Sequence, residues 1–226
     1  MNTRHLTSLS KFAGLATIAA MIATLGACSS PERSRDLNDA SIPVSTTAMQ
    51  VCSNCHGVQG VSTSPNFPNL AAQTQPYLVK QLSGFKSHGR SDPEGFEYMW
   101  GLSSHLTDEQ IACLATYFSK LPAPKGNVDH AGTPEQLSAG KQIFEQGIAT
   151  EGIPACLACH GDHAQGNDAF PRLAGQHADY LIKQLTVFRE TDQRPDGAAM
   201  KAVTHNLTSE NMRSVAAYLE TMSTSN

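Results

Sequence analysis

The sequence has no excess of basic residues: 16 Lys and Arg stand against 20 Asp and Glu, for a net charge of −4. That removes the electrostatic footprint of a nucleic-acid-binding surface. Beyond the N-terminus there is no apolar run approaching the about 20 residues that cross a bilayer as a helix. Nor is there any sustained alternation of polar and apolar residues of the kind that marks half-buried strands. What is present is a 226-residue chain, 40% hydrophobic, long enough for one large domain or two small ones.

The N-terminus reads as a secretory signal. Arg4, His5 and Lys11 precede an apolar run from Phe12 to Leu25, and the small residues Gly26 and Ala27 come next. Residues 1–27 are therefore expected to be removed on export to the periplasm, which takes away Arg4 and Lys11 but no acid and leaves the mature chain more acidic. Leu25-Gly26-Ala27-Cys28 also resembles a lipoprotein cleavage site, making Cys28 a candidate lipid attachment point and membrane anchor; an ordinary cleavage site is the alternative. Residues 28–43, polar and aperiodic, are expected to be a flexible tether.

Six cysteines in an exported chain usually suggest disulfides. Four of them instead form two matching local patterns, Cys52-Ser53-Asn54-Cys55-His56 and Cys156-Leu157-Ala158-Cys159-His160. A redox dithiol, half a zinc site or a disulfide could each account for one Cys-x-x-Cys. None accounts for a His following both times. The pattern is that of covalent c-type haem attachment, with two thiols spaced to reach the vinyl groups of one porphyrin and a His placed beneath its iron. Two covalently bound haem c groups are expected, on Cys52 and Cys55 and on Cys156 and Cys159. Cys113, inside Ile111-Ala112-Cys113-Leu114, reads as a buried core residue.

The surroundings of the two motifs repeat as well. Phe67-Pro68-Asn69-Leu70 is echoed by Phe170-Pro171-Arg172-Leu173, and Tyr77-Leu78-Val79-Lys80-Gln81-Leu82 by Tyr180-Leu181-Ile182-Lys183-Gln184-Leu185. Met99 and Met200 each precede a Leu-Thr pair and an apolar helix at the same spacing. Leu78, Leu82 and Phe85, like Leu181, Leu185 and Phe188, recur at helical intervals. Thr107 with Gln110 fits a capping box, and Thr133 with Pro134 and Gln136 a second helix start. The fold class expected is all-α, a tandem duplication, with a first domain at 44–121, a Pro- and Gly-bearing linker at 122–133 and a second domain at 134–226.

His56 and His160 come from the motifs as iron ligands. Met99 and Met200 are the candidates for the opposite faces, because they occupy matching positions on stretches read as irregular, each ahead of a capped helix. A thioether favours ferrous iron and raises the reduction potential relative to two histidines. Met49, Met212 and Met222 lack a matched partner and read as packing residues. His88, His105, His163, His177 and His205 also lack matched counterparts, and bis-His coordination stays the alternative.

Taken together, the paired Cys-x-x-Cys-His halves, each followed by Phe-Pro-x-Leu, Tyr-Leu-x-Lys-Gln-Leu and a late Met, resemble the cytochrome c4 family over nearly the whole mature chain. The resemblance implies two class I cytochrome c domains about a pseudo-twofold axis. It implies that the Pro68 and Pro171 carbonyls orient His56 and His160. It further implies outer-sphere electron transfer without enzymatic turnover, from a quinol-oxidising cytochrome complex to a terminal oxidase. Gly140 and Phe144 match the family's opening helix in the second half, whereas Thr47 to Val51 offers no such pair, so a shorter first helix is expected. A peroxide- or sulfur-active enzyme and a haem-bearing subunit of a larger complex are the competing readings.

Overall fold

The computed structural model describes residues 37, 39, 41–93, 95–129 and 132–223. The expected signal at 1–27 and the candidate lipid site Cys28 lie outside the described residues. Within them the chain is helical, with two isolated β-bridges, Ile148 with Ile153 and Asn167 with Phe170. No described helix is long and apolar enough to cross a membrane.

The first half opens with α1, a continuous helical run made of Val44–Thr47, a π-helical segment Ala48–Cys52 and Ser53–His56. After a long loop come α2 (Gln75–Lys86), a π-helical turn Gly95–Met99 leading into α3 (Trp100–Ser103), and α4 (Asp108–Ser119). The second half has α5 (Pro134–Gln146), α6 (Leu157–His160), α7 (Ala178–Glu190), α8 (Ala198–Thr204) and α9 (Ser209–Thr221). The helix starts are explained by their caps. The Thr107 hydroxyl accepts from the Gln110 amide while the Gln110 side chain returns to the Thr107 N–H, satisfying two otherwise orphaned donors at the start of α4. Thr133 caps α5 ahead of Pro134, and Thr208, in the Leu-Thr pair that follows Met200, caps α9.

Each half packs its first and middle helices against the last one. In the first, Ala48, Leu78, Leu106, Ile111, Leu114 and Phe118 form the core; in the second, Ile143, Phe144, Leu181, Val215, Ala216 and Leu219 do. Full burial of each such large side chain contributes about 1.5–3 kcal/mol. The helix crossings differ. A Cβ on Gly140 would lie 2.0 Å from the Ser214 carbonyl oxygen, so α5 and α9 touch backbone to backbone, and Phe144 lies beside Tyr218 with ring centroids 6.0 Å apart. In the first half Ala48 is the small buried residue of α1, in the same core as Phe118 on the last helix.

Several expectations are corrected. Cys113 is exposed, on the outward side of α4 between buried Ile111 and Leu114, so it is not a core residue. Met49 is 43% exposed and does not pack, whereas Met212 is buried. Met99 and Met200 stand in short helical turns, not irregular chain. The tether is not free along its length: Leu37 packs on the first core, because an apolar side chain beside it gains by leaving water. In the linker region the Asn127 N–H donates to the Glu220 carbonyl at 2.9 Å and the Gly126 N–H to Ser223 Oγ at 2.8 Å, which lays this stretch along the end of α9.

Candidate haem-binding sites

The first Cys-x-x-Cys-His motif ends α1 and the second forms the short helix α6, and in each the two cysteines and the histidine face one side, because residues three and four apart share a helix face. The next residue reverses the chain. Gly57 (φ 77°) and Gly161 (φ 84°) sit in a region side-chain-bearing residues rarely adopt, and a Cβ on Gly57 would lie 1.9 Å from the Val61 carbonyl oxygen.

The ensuing loop returns beneath the histidine. Pro68 O and Pro171 O lie 2.8 Å from Nδ1 of His56 and of His160, so each ring donates Nδ1–H to a proline carbonyl. Both rings are buried. Burial pushes each imidazole pKa down, with the proline carbonyl opposing in part, so the rings are neutral at neutral pH and Nε2 keeps its lone pair. That is the state in which imidazole ligates a metal. Phe67 and Phe170 meet the rings edge-on at 6.2 Å.

One apolar cavity of about 490 Å³ runs through both halves. His56, Met99, His160 and Met200 line it, as do all four motif cysteines. Cys52 and Cys156 are pushed up to about 11 by burial, so their thiols stay protonated, unlike the low-pKa thiol of a redox dithiol. None of the four is in a disulfide. Among the described residues no three His, Cys, Asp or Glu side chains converge as a zinc site requires. A large apolar cavity with paired thiols, a neutral imidazole and a thioether on its wall fits covalent haem in each half.

Between the halves lies a buried polar seam that the sequence reading missed. Arg90 Nε donates to Asp92 at 2.6 Å, and its terminal nitrogens donate to Gln81 at 2.8 Å and to Gln184 at 3.2 Å. Arg194 donates to Gln184 at 2.5 Å, to Gln81 at 2.8 Å and to the Tyr77 hydroxyl at 3.2 Å. Arg90 and Arg194 cover the rings of Phe85 and Phe188, each 4.4 Å from the centroid. Burial alone would push the Asp92 carboxyl up, but the Arg90 hydrogen bond and charge hold it below the ordinary carboxylate value. The repeated Tyr and Gln were visible in sequence, but their meeting between the halves was not.

The fold and the paired sites define a two-domain c-type cytochrome. Known proteins agree. The model of the cytochrome c family matches residues 44–122 and again 137–223. Cytochrome c-552 of Acidithiobacillus ferridurans is 39% identical over 84% of this chain and 82% of its own length. Cytochrome c4 of Stutzerimonas stutzeri is 39% identical over 75% of this chain and 83% of its own. The crystal structure of reduced recombinant cytochrome c4 from Pseudomonas stutzeri superposes with a TM-score of 0.72 at 35% identity, covering 80% of this chain and 97% of that one. The chain belongs to the cytochrome c family and, within it, to the dihaem cytochromes c4. It is an electron-transfer protein with two covalently bound haem c groups.

Proposed function

We propose that this is a periplasmic electron carrier that accepts electrons from a quinol-oxidising cytochrome complex and delivers them to a terminal oxidase. In this reading Cys52 and Cys55 hold the first haem and Cys156 and Cys159 the second, in domains at 44–121 and 134–226 joined by 122–133. His56 with Met99, and His160 with Met200, are the axial ligands. Cys28 is the proposed lipid attachment, fixing the carrier to a membrane with residues 28–43 as the tether to the first domain.

The observation that carries this reading is that both His and Met pairs line one shared apolar cavity. Bound haem supplies a one-electron ferrous–ferric couple. The chain does the rest. Pro68 and Pro171 fix the tautomer and plane of the histidines. Leu78, Leu114, Leu181 and Leu219 face the cavity and keep it dry, which strengthens the influence of nearby dipoles on the iron. In this reading Met99 and Met200 would each hold the iron as a second protein ligand, which would leave no place on it for a substrate and would separate a carrier from a peroxide-active enzyme.

Stopped-flow mixing of the reduced holoprotein with a terminal haem-copper oxidase tests the reading. Rapid oxidation of both haems, slowed by rising salt, together with no peroxide turnover, is the expected result. Peroxide turnover, or oxidation of one haem only, would contradict it.

A further inference from the structure

Across the interface, the side chain of each of two buried glutamines grips the backbone of the opposite half. Gln176 Oε1 accepts from the Asn69 N–H at 2.8 Å, and its Nε2 donates to the Asn69 carbonyl at 3.0 Å. In mirror fashion Gln73 Oε1 accepts from the Arg172 N–H at 2.6 Å and its Nε2 donates to the Arg172 carbonyl at 3.1 Å. All four residues are buried. The amide orientations are unambiguous, since each partner is a backbone N–H or a backbone C=O.

The gripped peptides are the ones that matter for the histidines. The N–H of Asn69 belongs to the peptide group whose carbonyl is Pro68 O, and Pro68 O accepts from His56 Nδ1 at 2.8 Å. The N–H of Arg172 belongs to the peptide group whose carbonyl is Pro171 O, which accepts from His160 Nδ1 at 2.8 Å. Peptide resonance joins the two ends of each group: an amide whose N–H donates gains negative charge on its oxygen and becomes a better acceptor. A better acceptor draws the Nδ1 proton of the histidine and raises its basicity as an iron ligand.

We propose that Gln73 and Gln176 are positioning residues through which each domain sets the reduction potential of the haem in the other. Gln176 acts on the first-domain iron through Asn69, Pro68 and His56; Gln73 acts on the second-domain iron through Arg172, Pro171 and His160. The relay rests on His56 and His160 being the axial ligands. A stronger histidine donor favours ferric iron, so loss of the glutamine amide raises the midpoint of the opposite haem.

The test is an NMR-monitored redox titration of the full holoprotein, which assigns each midpoint through protons of its own domain. Gln176→Met keeps length and volume but cannot hydrogen-bond; the expected result is an upward shift of the first-domain midpoint alone, with the His56 Nδ1–H resonance of the reduced protein moving upfield. Gln73→Met is expected to shift the second-domain midpoint alone. Should either methionine variant not fold, Gln176→Glu, which still accepts from the Asn69 N–H and does so with a charged oxygen, is expected to move the first-domain midpoint downward, and by more than the second. Both midpoints moving equally, neither moving, or the same-domain midpoint moving alone would overturn the relay. Ligation is checked separately: strongly ring-current-shifted His56 and His160 ring protons in the reduced wild type support the axial assignment, and their absence would remove it. Their presence with unmoved midpoints would remove only the relay.

Discussion

The two halves share their proximal side and differ on their distal side. Beneath each haem position the same histidine, proline carbonyl and edge-on phenylalanine recur at the same distances, 2.8 Å and 6.2 Å. Around the methionines a buried hydroxyl recurs, Ser103 donating to the Met99 carbonyl at 2.6 Å and Thr204 to the Met200 carbonyl at 2.8 Å, but the aromatic surroundings do not. Met99 is preceded by Phe96 and Tyr98, 55% and 48% exposed, and followed by Trp100, which stacks on His88 with centroids 4.1 Å apart. Met200 comes after Pro195, Asp196, Gly197, Ala198 and Ala199, with no aromatic nearby in sequence. A duplicated fold thus keeps the geometry that holds a ligand in its plane and lets the outer wall diverge, which is where two irons in one chain can be made unequal.

The largest expected effect comes from breaking the distal side on one half only. Met99→Ala should open the first-domain iron, abolish its sulfur ligation and make that haem alone reactive with peroxide, while Met200→Ala should do the same for the second; absorption spectra and peroxide consumption read both. Next come the helix crossings. Phe144→Ala removes a fully buried ring and should destabilise the second half by about 3–5 kcal/mol. Gly140→Ala should cost about 1–3 kcal/mol through overpacking against the Ser214 carbonyl. The nearest change in the first half, Ala48→Gly, should cost only about 0.5–1 kcal/mol. Denaturant titration read at each haem would show equal losses if the two crossings were alike.

Smaller again are the acids of the seam. Asp92 is 1% exposed, whereas its neighbour across the repeat, Asp196, is open to solvent and pairs loosely with Lys80 at 3.8 Å. Because the folded Asp92 pKa lies below the ordinary value of 3.8, its contribution is fully present above that value and is lost as pH falls through the folded pKa. Asp92→Asn should therefore lower stability at neutral pH, by about 3 kcal/mol if the Arg90 charge is left uncompensated, and flatten the acid limb of the stability curve. Asp196→Asn should change stability by less than about 1 kcal/mol at any pH. Equal effects from the two would mean that the buried seam does not hold the halves together.

The haem motifs, the duplication and the helix caps were legible because each depends on residues close in sequence with one chemical purpose. The seam was not. Tyr77, Gln81, Tyr180 and Gln184 were readable as repeats, and Gln73 and Gln176 stand at matching positions, but a repeat does not say which face meets its own copy. Only the fold brings Gln73 to Arg172 and Gln176 to Asn69. Cys113 was misplaced for a related reason: a Cys in an apolar run takes the direction of its helix face, and here its turn of α4 points outward while Ile111 and Leu114 point in. The π-helical turns at Ala48–Cys52 and Gly95–Met99 left no sequence signal.

In the proposed reading each iron is held by one histidine and one methionine. The near-infrared absorption band that marks sulfur ligation to ferric haem, recorded on the oxidised holoprotein, tests it most directly. Its intensity should correspond to two haems. Half that intensity, or none, would contradict the claim, leaving at least one iron bis-His or open.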